Sequence, residues 1–290
     1  MMKVTTLIDA SQGLKFTESP RWHTGELWFL DIHDRRIKKV SVHGALETVL
    51  ELPFLPNSLG FRPDGSMIFG DGLNRLIYTW NGKEYQQVAD IGHLAKICLS
   101  DGIPDAQGRF YVGDIGYNFL GGAEPSPEGV LVLVRTDGQA SIVAENLFFP
   151  NGMVITPDGK TLIVAETLGH CLTAFDIRED GTLENRRTFA QLPGTIGVED
   201  GDRPDGICLD AEGAVWVATA GPSVVRVKEG GEITQRIDLQ NSAYAVMFGG
   251  TDRKTLFICT SHSHHVPEIL QGPSARIEFL KTDIPGAGNP

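Results

Sequence analysis

The sequence predicts an all-β protein, a six-bladed β-propeller with four-stranded blades and a metal site at one mouth of its central channel. A strand–turn–strand motif occurs six times, at successive spacings of 40, 43, 51, 54 and 40 residues. Most copies are followed by a third and a fourth strand-like run, and helical periodicity is nearly absent. About four strands per unit at a period of roughly 40 to 50 residues is typical of a propeller.

The repeated motif is clearest in "PNGMVITPDGKTLIVAET" (Pro150–Thr167), where two apolar runs flank a Pro-Asp-Gly turn. The turn residues of the six copies are Gly25, Gly65, Gly108, Gly159, Gly213 and, in a degenerate copy, Arg253. A propeller must close its ring. We expect the N-terminal "KVTTLI" to complete the sheet that ends in "ARIEFLKTD" (275–283), because that pairing removes a free strand edge. The prediction is one domain over residues 1–290.

The amino-acid composition and net charge of the chain indicate which classes of binding partner to expect. The chain has 290 residues, a net charge of −12 and a pI of about 5.1, which argues against nucleic acid and anionic membranes. No apolar run approaches the roughly 20 residues of a membrane span. The start, "MMKVTTLIDASQG", lacks the apolar stretch of a signal peptide, so we expect a soluble cytoplasmic protein. Four dispersed cysteines without a C-x-x-C pair are expected to be buried free thiols.

The first strand of each propeller blade lines the channel, so equivalent residues at its start should form a ring. Seven residues before Gly25 stands Glu18, and eight residues before the next four turn glycines stand Asn57, Ser100, Asn151 and Asp205. The equivalent region of the sixth copy is at Tyr244. The first five carry side-chain oxygens. Converging carboxylates and amides are costly unless compensated, and Ca²⁺ accepts such ligands. The alternative is that these Asn and Asp residues only begin turns.

Two further groups are expected at the same face, because the second strand of a blade returns to it. Its ends carry carboxylates, at Asp31, Asp71, Asp114 and Glu166. The sixth blade adds "TSHSHHVPE", which contains His262, His264 and His265. The carboxylates could orient ligands or could be solvated strand ends. The histidines could form a proton shuttle or a hydrophilic loop.

Several motifs in order resemble one family over nearly the whole chain: "ESPRWHTGELWFLDI", "FPNGMVITPDGKTLIVAET", "LTAFDIREDGTLENRR" and "RPDGICLDAEGAVWVA". The family is that of senescence marker protein, gluconolactonase and luciferin-regenerating enzyme. The resemblance implies a six-bladed propeller that holds one divalent metal ion through Glu18, Asn151 and Asp205. Ca²⁺ is our first choice, with Mg²⁺, Mn²⁺ or Zn²⁺ as alternatives.

The chain departs from that family in the third blade. Many members have Asn just before the Asp-Gly there, often with Arg two residues upstream, whereas this chain has Ser100 and Cys98 in "ICLSDGIPDAQG". Asn57 or Asp101 could fill the gap. The aromatic residues Tyr117, Phe119, Phe148 and Phe149 indicate a pocket less polar than a sugar acid needs. Our candidate substrate-binding residues are Ser100, Asp101, Asn57, Tyr117 and His262.

The function predicted from the resemblance is metal-dependent hydrolysis of a lactone or a related ester. Asp205 is the candidate catalytic residue, either as the base that takes a proton from water or as a nucleophile that forms an acyl-enzyme. Three alternatives remain open at this point. They are hydrolysis of a phosphoester or phosphorus–fluorine bond at the same site, a non-catalytic propeller scaffold, and a protein in which the metal is purely structural.

Overall fold

The computed structural model of the chain describes residues 3–118 and 122–288. Six antiparallel sheets, five of four strands and one of five, form the blades of the predicted six-bladed β-propeller. The chain groups into two compact units, Met1–Pro56 with Asp205–Pro290, and Asn57–Pro204, and each unit contains three blades. That all 290 residues act as one domain stays a prediction.

The first unit contains the first, fifth and sixth blades. The first blade consists of β2 (Thr17–His23), β3 (Glu26–Asp31), β4 (Arg36–Val40) and β5 (Leu46–Glu51). The fifth consists of β18 (Ile207–Asp210), β19 (Val215–Ala218), β20 (Ser223–Val227) and β21 (Ile233–Asp238), with β25 (Gly286–Ala287) beside β18. The sixth consists of β22 (Ser242–Gly249), β23 (Thr255–Ser261), β24 (Ala275–Lys281) and the N-terminal β1 (Thr5–Ile8). The short helix α1 (Val266–Ile269) lies between β23 and β24.

The predicted closure of the ring is confirmed within this unit. Strand β1 pairs antiparallel with β24, with Thr5 opposite Phe279 and Thr6 opposite Glu278. The sixth blade is therefore assembled from both ends of the chain, and the edge of β24 is covered.

The second unit contains the second, third and fourth blades. The second blade consists of β6 (Pro56–Phe61), β7 (Met67–Asp71), β8 (Leu76–Trp80) and β9 (Tyr85–Asp90). The third consists of β10 (Leu99–Pro104), β11 (Phe110–Asp114), β12 (Gly129–Val134) and β13 (Ala140–Leu147). The fourth consists of β14 (Pro150–Ile155), β15 (Thr161–Glu166), β16 (Cys171–Ile177) and β17 (Leu183–Gln191).

The predicted turn residues adopt the left-handed backbone conformation in every blade. The φ angles of the five turn glycines run from 70° to 84°, and Arg253 takes the same role with a φ of 54°. The sixth copy therefore keeps the turn although its sequence lacks the turn glycine. An arginine tolerates this left-handed conformation at some energetic cost.

A second repeated feature is an irregularity at the start of the first strand of a blade. The pairing register shifts between Glu18 and Arg21 in β2, and equivalent shifts occur at the starts of β10, β14 and β22. A β-bulge places two residues of one strand opposite one residue of its partner, so it redirects the side chains at that point. The bulges of β2, β10 and β14 lie at or next to three of the predicted oxygen-bearing positions, Glu18, Ser100 and Asn151.

The cores lie between sheets and are made of aliphatic and aromatic side chains. In the first unit Phe29 and Phe257 belong to one buried cluster, and Trp216 and Phe248 belong to another. In the second unit Phe110 and Tyr111 are buried in two further clusters. Of the helices that the structure describes, none has the length and apolar character needed to cross a membrane.

Candidate metal and substrate site

Asn151 is the second residue of β14, is half-buried, and has its amide orientation set by a neighbour. The Thr167 hydroxyl donates its proton to the carbonyl oxygen of Pro204 at 2.8 Å. The Thr167 oxygen can then only accept, and it does so from Asn151 Nδ2 at 3.2 Å. The amide oxygen of Asn151 is thus turned away from Thr167 and is available as an oxygen ligand.

Glu18 and Asp205 lie in the first unit. Glu18 is the second residue of β2, and its Oε2 accepts the backbone N–H of Ser19 at 2.8 Å. Ser19 has a φ of 48°, so the backbone takes the left-handed conformation directly after the candidate ligand. Asp205 is 7% exposed and lies two residues before the start of the short strand β18.

The backbone at Asp205 and Gly206 is held by hydrogen bonds and by close packing against the neighbouring strand β22. The Asp205 N–H donates to Ala218 at 2.9 Å, and the Gly206 N–H donates to Tyr244 at 2.7 Å. A Cβ atom on Gly206 would lie 2.5 Å from the Cβ of Ala245, so only glycine fits at this position. The Pro-Asp-Gly of this blade is therefore a site of close packing and not a turn.

These three residues fit a hard divalent cation by the chemistry of their donors. They offer two carboxylates and an amide oxygen, the types of oxygen ligand that Ca²⁺ accepts. Within residues 3–118 and 122–288 no group of three or more His, Cys, Asp or Glu side chains is arranged to hold a metal ion. The predicted set contains only two side chains of those types, with Asn151 as the third ligand.

The candidate substrate residues of the third blade lie next to each other at its bulge. Ser100 and Asp101 are 6% and 7% exposed, and Asp101 Oδ1 accepts the N–H of Gly102 at 2.8 Å. The buried Ser100 hydroxyl makes no hydrogen bond to any described residue. Asn57 donates its amide to the carbonyl of Leu99 at 2.6 Å, so this side chain links β6 to β10.

An apolar cluster adjoins these residues in the second unit. Tyr117 is 7% exposed and meets Phe149 edge-on, with ring centroids 6.2 Å apart. Burial raises the pKa of Tyr117 to about 12, so its hydroxyl stays protonated at neutral pH. The cluster also contains Cys98 and Leu168, with Phe148 packed against it. Phe119, which the sequence analysis included here, falls outside the described residues.

The first unit has its own aromatic group, which includes Phe16, two residues before Glu18 in the sequence. Phe16 packs against Tyr244 at a centroid distance of 4.8 Å and against His33 at 5.9 Å. Tyr244 occupies the bulge of β22, the sixth-blade equivalent of the ligand position, and contacts His264 at 6.3 Å. His262 is exposed and lines a separate surface groove with Glu268 and Arg276.

The strand-end carboxylates have structural partners, which neither alternative from the sequence anticipated. Asp31 accepts the backbone N–H of Phe16 at 3.1 Å, Asp114 that of Ile97 at 2.9 Å, and Glu166 that of Phe148 at 2.8 Å. Each donor lies in the segment that enters the first strand of the same blade. Asp71 instead accepts from Asn74. All four are at most 3% exposed, so they are not solvated strand ends.

The four cysteines are free thiols, as predicted. Burial, aided by the charge of Asp114, raises the pKa of Cys98 to about 12. Burial, aided by Glu166, raises that of Cys171 to about 11. Cys208 and Cys259 are fully buried and their pKa values are also raised. Thiolates are the reactive form, so none of these residues is suited to be a nucleophile.

We expect the native protein at pH 8 to leave all four thiols unmodified by a disulfide reagent such as dithionitrobenzoate. At a pKa of about 11 or above, roughly one thiol in a thousand or fewer is ionised at that pH. In guanidinium chloride the same reagent should titrate four thiols. Rapid modification of one thiol in the folded protein would contradict the assignment and point first to Cys171, the least buried of the four.

Comparison with known proteins gives the family. The model of the SMP-30/gluconolactonase/LRE-like region matches residues 16–262, which is most of the chain. The chain belongs to this family. Its predicted resemblance is therefore confirmed, and the six-bladed fold agrees with it.

Similar proteins cover the same span. A 6-deoxy-6-sulfogluconolactonase from Pseudomonas putida is 26% identical over 282 residues, 94% of this chain and 93% of its own length. Pentonolactonase XacC from Haloferax volcanii is 26% identical over 266 residues, 90% and 86% of the two chains. A solved structure from Agrobacterium tumefaciens, described as a calcium-binding protein, regucalcin, superimposes with a TM-score of 0.78 at 20% identity, covering 99% and 95% of the two chains.

The sequence did not single out Thr167, the residue that bonds to Asn151. Thr167 directly follows Glu166 in a quoted motif, yet its hydroxyl bonds to Pro204, which is 37 positions away. No local pattern signals that hydrogen bond. The only available hint was a hydroxyl residue at the end of β15, opposite the start of the strand that carries Asn151.

Proposed function

We propose that this protein is a metal-dependent hydrolase that opens a lactone or a related ester. The observation that carries the proposal is the family match over residues 16–262, together with two relatives named as lactonases that align over 90% or more of the chain. In this proposal the oxygen donors at Glu18, Asn151 and Asp205 would supply the chemistry that such an enzyme needs.

In this proposal those three side chains hold one divalent cation, with Ca²⁺ as the first candidate and Mg²⁺, Mn²⁺ or Zn²⁺ as alternatives. Support comes from their carboxylate and amide oxygens and from the calcium-binding description of a structurally similar protein. A bound cation would polarise the lactone carbonyl and stabilise the negative charge that develops on its oxygen. Thr167 would keep the Asn151 oxygen directed at the cation.

Asp205 would act as the general base. It would take a proton from the attacking water while the hydroxide oxygen bonds to the carbonyl carbon. As the ring C–O bond breaks, the same carboxyl group would return the proton to the leaving oxygen, which yields a hydroxy acid. The close packing at Gly206 would hold Asp205 in place for both steps.

The substrate that we propose is less polar than a sugar-acid lactone. The chain lacks the arginine and amide of the family pattern, since Cys98 and Ser100 occupy those positions. Tyr117 and Phe149 form an edge-on aromatic pair in the second unit. Ser100, Asp101 and Tyr117 are therefore our principal substrate-binding candidates. Asn57 would act indirectly through its bond to Leu99, and His262 remains a more distant candidate.

The first test uses a pH-stat to measure hydrolysis of a panel of sugar-acid, alkyl and aryl lactones. Each lactone is measured with Ca²⁺ and then with a chelator. We expect turnover that the chelator abolishes and that Ca²⁺ restores, with alkyl or aryl lactones preferred because the pocket has lost polar groups. A preference for sugar-acid lactones would refute the substrate assignment alone. Absence of turnover on every member would refute the lactonase proposal and favour the phosphoester or scaffold alternatives.

A further inference from the structure

The loop 193–204 is built around the imidazole of His170. Its ends are joined by a hydrogen bond from the Asp202 N–H to the Pro193 carbonyl at 2.7 Å. The His170 ring is fully buried beneath this largely exposed loop. A Cβ atom on Gly194 would lie 2.0 Å from His170 Nδ1, so the loop follows the ring too closely for any other residue there. A compact loop with adjoining ends and an internal side chain of this kind is commonly functional.

Both ring nitrogens of His170 face main-chain carbonyl oxygens of the loop. Nε2 lies 2.9 Å from the oxygen of Val198, and Nδ1 lies 3.1 Å from that of Asp202. Carbonyl oxygens only accept hydrogen bonds, and a neutral imidazole can donate only one. The imidazolium form can donate both. The carboxylate of Asp200 also faces the ring, with Oδ1 3.8 Å from Nε2, and it favours a positive charge there.

The remaining charged side chains near the end of the loop are engaged elsewhere. Glu199 forms an ion pair with Arg203 at 2.6 Å. Asp202 presents its carbonyl to the ring, and its own side chain is 7% exposed. From the other side, the His170 carbonyl accepts the N–H of Leu192 at 2.7 Å, which anchors the turn that carries the ring.

The same loop controls the hydrogen bonds that orient Asn151. It ends at Pro204, whose carbonyl accepts the Thr167 hydroxyl, and Thr167 in turn accepts the Asn151 amide. Thr167 begins the 3-10 turn Thr167–Gly169, and His170 is the residue that ends it. The side chains of both residues therefore contact the loop, and the Gly197 N–H also donates to the Leu168 carbonyl of the turn at 2.8 Å. Asp205 is the next residue in the chain after the loop.

We propose that His170 is a positioning residue: its two ring nitrogens hold loop 193–204 through the carbonyl oxygens of Val198 and Asp202, and so keep the Asn151 oxygen directed at the metal ion. The inference rests on the proposed function, because it takes Asn151 to be a ligand. Removal of the ring frees the carbonyl oxygens of Val198 and Asp202 from their contacts with it. The loop then loosens at Pro204, and the affinity for the metal ion falls.

The test measures Ca²⁺ binding by calorimetry at neutral pH for the wild type and three variants. His170→Gln removes the ring, and Thr167→Val removes the hydroxyl that joins Pro204 to Asn151 while preserving shape. His93→Gln is the control, since His93 is an exposed histidine of the same unit. We expect about a tenfold or greater loss of affinity in the first two variants, the usual effect of removing a group that orients a ligand, and no loss in the control.

Two signatures separate positioning from a general loss of structure. His170→Gln and the control should have equal melting temperatures, and the amides of loop 193–204 should exchange faster in His170→Gln than in the control. If His170→Gln binds Ca²⁺ as the wild type does, the inference is overturned while the proposed function stands. If the wild type itself binds none of the four cations, the metal proposal fails and this inference fails with it. If His170→Gln does not fold, the affinity of Thr167→Val decides.

Discussion

Replacing Asp205 by Asn should lower the turnover number by about 10³-fold, within the usual contribution of a general base. The substitution keeps the shape of the side chain and the backbone hydrogen bond to Ala218, so the fold should be retained. It removes the charge that would hold the cation and the group that would take the proton. We would measure lactone hydrolysis at saturating Ca²⁺, and Ca²⁺ affinity by calorimetry.

Asp283→Asn is the matched control, because Asp283 is an exposed aspartate in the same unit. It should leave both activity and affinity unchanged. If Asp205→Asn kept wild-type turnover, Asp205 would be neither base nor nucleophile. A loss of Ca²⁺ affinity with turnover retained would assign it to metal binding alone and place the reaction elsewhere.

Replacing Asp210 by Ala should destabilise the protein by about 3–5 kcal/mol, the cost of removing one partner of a buried ion pair. Asp210 and Arg226 are 1% and 3% exposed and meet at 2.7 Å. The same carboxylate accepts the indole N–H of Trp216 at 3.1 Å and the backbone N–H of Ala214 at 3.1 Å. The variant leaves the Arg226 charge and these donors buried without their acceptor.

The measurement is the free energy of unfolding, obtained from a urea titration in which tryptophan fluorescence reports the unfolded fraction. Arg178 and Glu184 supply the control, since they form an arginine–carboxylate pair at 3.0 Å with both side chains substantially exposed. Glu184→Ala should cost at most about 1 kcal/mol, as is usual for surface pairs. Equal effects in the two variants would show that burial of the Asp210 network does not contribute as argued here.

The repeat explains why so much of the fold was accessible from sequence. Each blade must bury its own apolar strands and turn back sharply, so alternating apolar runs and a glycine recur at every turn. Six positions with positive φ follow that pattern, and Arg253 shows that the turn geometry persists where glycine is lost. The pairing of β1 with β24 was also predictable, because a closed ring leaves one strand to be supplied by the other end of the chain.

The same regularity left two interpretations of the strand-end carboxylates, orientation of ligands or solvated strand ends, and the structure excludes the second. Asp31, Asp114 and Glu166 each bind backbone N–H groups of the segment that enters their own blade. A residue that recurs at equivalent positions of a repeat protein can therefore have a structural role in every blade, such as accepting backbone N–H groups. A position that varies between blades, such as Asn151 against Ser100, is more informative about the site.

The sequence by itself determined the blade number, the turns, the free thiols, the family and the set of oxygen-bearing candidates, because these follow from local pattern and composition. Tertiary structure alone decided how the candidates are oriented. The Asn151 amide is set by Thr167 and Pro204, and Pro204 lies at the end of a loop shaped by His170. Hydrogen bonds between residues more than 30 positions apart depend on how blades pack, and no local pattern encodes that geometry.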